Sequence, residues 1–281
     1  MSMQTSSLRG AAVLIVLGLG GQAHADAAQV DRMLDLMQVD EIIEIMSEEG
    51  LSYGAELADE MFPGRGGAGW ETDLARIYDV ERMQVTVEAA FHTLLDTREE
   101  ITAPAITFFE SPVGQRAMAA ETQTRRLMLD DDIEETARAA GAALERTDPD
   151  YAAQIARFID ANDLVERNVV GGLNSNVAFL TGLAGGGGIG GSDLTEGEIL
   201  RQVWSGEGEL RADTGTWLTG FLGMAYKLLD EGDLEDYIAF SETEESKALV
   251  EASFAAYDAL FNEVSMALGA AAAKHVSAQE L

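Results

Sequence analysis

Apolar side chains return every three or four residues through most of this chain, and runs of alternating β-branched residues are nearly absent. Val80, Met83, Val87, Phe91, Leu94 and Leu95 fall on one stripe of a helix, and Ile42, Ile43, Met46, Tyr53, Leu57 and Met61 fall on another. A sequence rich in Ala, Leu, Met, Glu and Arg with this period cannot sit half-buried as strands, whose faces alternate every second residue. The expected fold class is all-α, a multi-helix bundle.

Helix ends are written into the same sequence. Asp40, Asp79, Ser111 before Pro112, and Asp148 before Pro149 are expected to open helices, because a short polar side chain can accept from the free N–H groups of a first turn. Thr195 with Glu198 and Ser241 with Glu244 have the spacing of capping boxes. A helix over residues 112–146 would be about 52 Å long at 1.5 Å per residue. Asp131 with Glu134 predicts a break near residues 130–132. The glycine run in residues 185–192 is the most permissive stretch of backbone and reads as a linker.

Residues 1–25 read as an export leader. Arg9 supplies the positive start, residues 11–21 form an apolar core too short to cross a bilayer, and Ala23-His24-Ala25 fits cleavage between Ala25 and Asp26. The expected location is periplasmic or secreted, with no stable membrane span after cleavage. The leader holds one basic residue and no acidic one, so its removal takes the formal net charge from −32 to −33. That field repels nucleic acid and anionic lipid surfaces. There is no cysteine, so an exported chain of this kind must be held together by packing alone.

Phe108-Phe109-Glu110-Ser111-Pro112-Val113-Gly114-Gln115-Arg116 reads as an elbow between two packed helices. Phe108 and Phe109 are expected core anchors, Ser111 and Pro112 a helix start, and Gly114 a point of close approach. Gln115 and Arg116 are the elbow residues with the chemistry to bind a partner. Aligning Phe109 with Phe240 places Arg116 on Lys247 and Met118 on Leu249, while Glu44, Gly50 and Leu51 match Glu166, Gly172 and Leu173. The chain thus reads as two weakly similar helical halves, residues 26–147 and 148–281, with a long helix after each elbow.

The residues Phe109, Ser111, Pro112, Gly114, Gln115 and Arg116 resemble the Phe-x-Ser-Pro-x-Gly-Gln-Arg/Lys motif of the bacterial family called domain of unknown function 2059. The resemblance extends over about residues 78–128, and residues 200–271 would be a degenerate second copy. It implies an exported helical protein of unknown role and brings no catalytic residues.

Reactive constellations are sparse. Glu88, His92 and Asp96 lie four apart on one helical face and could offer metal ligands, although the neighbouring Phe91 and Leu95 place them at the border of an apolar stripe. Residues 130–135 are acidic but lack the alternating ligands and central glycine of an EF-hand. The glycine run follows no strand and lacks the Lys-Ser/Thr ending of a phosphate loop. There is no Cys and no Gly-x-Ser-x-Gly, so nucleophilic catalysis has little to work with. No cofactor is implied. The expected role is non-enzymatic binding of a protein or other envelope component. Carriage of an apolar ligand between helices is the alternative, and a carboxylate or metal-assisted hydrolase comes third.

Overall fold

The computed structural model describes residues 20–64, 66–186 and 195–277. Among the described residues there is no strand, and the protein is an all-α multi-helix bundle. The first half comprises α1 (Gly20–Leu36), α2 (Val39–Met61), α3 (Gly67–Ile77), α4 (Val80–Leu95), α5 (Glu99–Phe109), α6 (Pro112–Leu127) and α7 (Asp131–Thr147). The second comprises α8 (Pro149–Ala161), α9 (Leu164–Gly185), α10 (Glu196–Ser205), α11 (Glu207–Ala225) with a 3-10 turn at Tyr226–Leu228, α12 (Glu231–Ser241) and α13 (Glu244–Ser277). The expected leader lies mostly outside the described residues, as does most of the glycine run, and the expected cleavage position falls within α1. No helix among the described residues is long and apolar enough to cross a membrane.

The two halves repeat the same joints. At the end of α1, Met37 N–H donates to Met33 O and Ile42 N–H to Gln38 O; at the end of α8, Asn162 N–H donates to Phe158 O and Arg167 N–H to Asp163 O. Gln38 and Asp163 hold these joints in the left-handed region, at φ 55° and 51°, and are the only such non-glycine residues among those described. At the elbows, Ser111 N–H donates to Phe108 O and Thr243 N–H to Phe240 O. The side chain of Ser111 then accepts from Gly114 N–H at 3.1 Å, and that of Thr243 from Ser246 N–H at 3.2 Å. A clasp accompanies each elbow: Arg32 of α1 grips Glu110, and Arg157 of α8 grips Glu242 at 2.6 Å.

The equivalent aromatics of the two elbows meet face to face. Phe108 and Phe240 stack with ring centroids 4.0 Å apart and planes 1° from parallel. A self-complementary contact of this kind is what a two-fold relation between halves produces. The ends of the halves also interlock. α13 lies on α4 and α5, while α6 and α7 lie on α11, and α6 also on α12. Arg116 of α6 makes a two-pronged ion pair with Asp233, at 2.7 and 2.8 Å, which fixes α6 to α12.

Several local expectations are corrected. α2 begins at Val39 behind Gln38, so Asp40 lies in its first turn rather than capping it. The first-half break is capped by Asp130, which accepts from the N–H groups of Asp132 and Ile133, not by Asp131. Thr243 rather than Ser241 caps α13; Ser241 is the buried last residue of α12. The hydrogen bonds pair Phe108 with Phe240, one residue from the alignment on Phe109, and they pair the start of α2 with a later stretch of α9 than composition suggested. Tyr53 points outward and is 54% exposed, because Gly50 and Gly54 face inward instead.

The second-half helix after the elbow is unbroken for 34 residues, whereas its first-half equivalent stops at Leu127 and restarts at Asp131. Removing either elbow cap, by Ser111→Ala or Thr243→Ala, is expected to cost about 1 kcal/mol, measured by chemical denaturation. A much smaller loss at Thr243 would show that the two elbows are not energetically equivalent.

A candidate ligand-binding cleft

α7 carries the run Ala139-Ala140-Gly141-Ala142-Ala143, and it meets α11 at Gly220. A Cβ on Gly141 would stand 2.7 Å from Gly220 N, and one on Gly220 would stand 2.9 Å from Ala137 O. The two backbones therefore touch. Helices that touch at one point diverge on either side of it, and small side chains leave the diverging space unfilled.

Two clefts result. One, of about 640 Å³, runs between α7 and α11 past Ile133, Ala140, Leu144 and Met224 to Tyr151 of α8. The other, of about 540 Å³ on the opposite side of α7, includes Glu145, Asp160 and Arg211 and is more polar. α13 crosses α4 beside the Arg82–Glu263 ion pair, where the space left is about 10 Å³, and a cleft of about 270 Å³ opens next to it past Met83, Leu260 and Leu268. The break at residues 128–130 separates α7 from α6.

Polar groups gather at one end of the larger cleft. Asp148 caps α8, accepting from Tyr151 N–H, and its second oxygen accepts from Lys227 Nζ at 2.9 Å. The Lys227 ammonium sits 4.2 Å from the centre of the Tyr151 ring, and the Tyr151 hydroxyl donates to Gly223 O at 3.1 Å. Lys227 and the Tyr151 N–H together hold the Asp148 carboxyl below its ordinary range. Beyond this group opens a third pocket, of about 400 Å³, lined by Asp148, Asp150, Gln154, Tyr226, Asp230 and Leu234.

Behind Tyr226 lies the most perturbed carboxyl group among the described residues. Tyr226 OH donates to Glu121 Oε1 at 2.7 Å, and the Tyr237 phenol lies beside the same carboxylate. Desolvation pushes Glu121 up to about 7, and the two phenols only partly offset it. No lysine or arginine among the described residues pairs with this carboxyl.

The residues singled out from the sequence are distributed elsewhere. Phe109 is buried; Phe108 is half-buried between Phe240 and Tyr237. Gly114 lies against the preceding helix, where a Cβ would stand 2.3 Å from Phe108 O. Gln115 turns back to donate to Glu110 O at 3.3 Å, and Arg116 is engaged with Asp233. His92 is bracketed by Asp96 at 2.7 Å and Asp31 at 3.0 Å, while Glu88 takes no part in that group. Burial works against the His92 proton, but the two carboxylates outweigh it and raise its pKa. No group of three His, Cys, Asp or Glu side chains among the described residues is arranged to hold a metal ion.

Sequence reasoning passed over the cleft and Glu121. The small-residue run at 139–143 and the glycines at 215, 220 and 223 were the available signal for the first. Glu121 looks in sequence like one of 50 acidic residues. Comparison of the chain with family models, curated proteins and solved structures finds no match.

Proposed function

We propose that this chain is an exported, non-enzymatic binding protein, and that it holds an apolar ligand in the cleft between α7, α8 and α11. The observation that carries this reading is the cleft itself: about 640 Å³, lined mainly by apolar groups, with its charged groups, Asp148 and Lys227, at one end. Small-molecule sites typically occupy roughly 300–1,000 Å³ with few, localised polar contacts. The elbow residues Ser111 to Arg116 support kinship with the domain of unknown function 2059 family within the same reading.

Binding of a protein or envelope partner is the second reading. It is favoured by α10, where Leu200 and the 62% exposed Trp204 lie one turn apart on the outer face.

Native mass spectrometry of gently purified protein, followed by titration with a fluorescent alkyl probe, tests the first reading. Ala140 lines the cleft but is exposed, so Ala140→Trp fills the space without entering the core. The expected result is probe binding that weakens on the order of tenfold in Ala140→Trp at unchanged melting temperature. Equal binding by both proteins would reject the cleft as the site.

A further inference from the structure

We infer that the ligand of this cleft is a cationic amphiphile, an alkyl chain carrying an ammonium head, with the chain between α7 and α11 and the head at Tyr151, Asp148, Asp150 and Asp230. The inference rests on the carriage reading and specifies its ligand. The apolar cleft and the acidic pocket adjoin, with Asp148, Tyr151 and Lys227 forming the wall they share. A molecule lying across that boundary has its tail among Ile133, Leu144 and Met224 and its head beside three aspartates.

The protein already shows how an ammonium is received there. Lys227 Nζ stands 4.2 Å from the Tyr151 ring centre and 2.9 Å from Asp148 Oδ2, the pairing of aromatic face and carboxylate that recognises alkylammonium groups. The Lys227 side chain is 61% exposed, so it can swing into solvent with little loss of packing. Asp150 and Asp230 have no ion-pair partner among the described residues. With Lys227 in place, one cation faces three carboxylates in this pocket, and with Lys227 withdrawn none does. An anionic head would have to enter against those carboxylates in a protein of net charge −32, whereas a cationic one is drawn in. Lys227 is therefore an internal occupant of the head site, displaced when ligand binds.

The test compares dodecylamine, dodecanol and dodecanoate, each below its micelle concentration, by calorimetry at physiological ionic strength. Dodecylamine is expected to bind on the order of tenfold more tightly than the other two. The combined change Asp148→Asn, Asp150→Asn and Asp230→Asn is expected to bring the three probes level, and asparagine at 148 keeps the α8 cap. Lys227→Met is expected to tighten dodecylamine several-fold by removing its competitor. Preference for dodecanoate, equal binding of all three by the unaltered protein, or no gain in Lys227→Met would overturn the head-group assignment and leave carriage standing. Dodecylamine binding that survives Ala140→Trp would mean adsorption to the acidic surface and would overturn it as well. Failure of all three probes to bind would overturn the carriage reading, and this inference with it.

Discussion

Replacing Gly269 with leucine is expected to cost about 3 kcal/mol or more of folding stability and to lower the melting temperature by roughly 10 °C. α13 and α9 run together over much of their length, and their closest point is glycine on backbone from both sides. A Cβ on Gly269 would stand 2.0 Å from Phe179 O, and one on Gly182 would stand 2.1 Å from Met266 O. Neither neighbour is a side-chain end that can rotate away, so the helices must separate or bend. Separation would loosen the contacts that α13 makes with α4 and α5 in the other half. The same chemistry elsewhere in the fold has the opposite sign. Gly215, within α11, has no atom within 4 Å of where its Cβ would be. Gly215→Ala is therefore expected to gain about 0.5–1 kcal/mol from helix propensity alone. Denaturant titration of the two variants checks both signs, and a Gly269→Leu protein as stable as the parent would mean that the close approach of α9 and α13 does not hold the second half together.

Those two glycines look alike in sequence, and the difference shows where sequence reading stops. What was legible was local. Asp79, Ser111 with Pro112, Asp148 with Pro149, and Thr195 with Glu198 open helices because each acts on N–H groups two or three residues away. What was not legible depends on a partner distant in the chain. Tyr53 fits the apolar stripe of α2 by spacing, but Tyr78, Leu74 and Trp70 arrive over Gly50 and Gly54 and turn the inward face by part of a turn. Trp70 Nε1 donates to Gly54 O at 2.9 Å, and a Cβ at position 54 would stand 2.4 Å from the Leu74 side chain, so only glycine admits this approach. The joint at Gln38 has no local signal of the kind Asp40 offered, and its likeness to Asp163 is visible only in backbone angle.

The repeat illustrates the same limit. Composition aligned Phe109 with Phe240 because a conspicuous aromatic invites pairing, but the turn hydrogen bonds select Phe108. With that register the paired features are an arginine clasp, a hydroxyl cap and a stacked ring. Side-chain identity is kept in the clasp and the ring, and only function is kept in the cap. The halves then diverge at one place: the first breaks after α6 and the second does not. The larger cleft lies beyond the break, where α7 crosses α11 on small residues, whereas α13 crosses α4 as one continuous helix. Candidate function thus sits where the repeat is least exact.

The pH dependence of stability is expected to carry the mark of one carboxyl, Glu121. Its carboxyl group is desolvated beneath Tyr226 and Tyr237, which pushes it up to about 7 in place of 4.5. Because the folded form holds this proton more tightly than the unfolded chain does, ionisation opposes folding. The penalty is complete above about pH 7, shrinks as pH falls through that value, and is gone below about 4.5, so its full size is about 3 kcal/mol at 1.36 kcal/mol per unit. Acid also relieves repulsion among the other carboxylates of this strongly negative chain, and that gain has the same sign. Glu121→Gln separates the two. The amide keeps an acceptor for Tyr226 OH and never ionises, but its NH₂ brings donors that the phenols do not need, at a cost of about 1 kcal/mol. The variant is accordingly expected to be about 2 kcal/mol more stable than the parent at pH 8 and slightly less stable at pH 5. Denaturation curves for both proteins across that range give a difference that crosses zero, and a difference independent of pH would place the Glu121 proton outside the folding equilibrium.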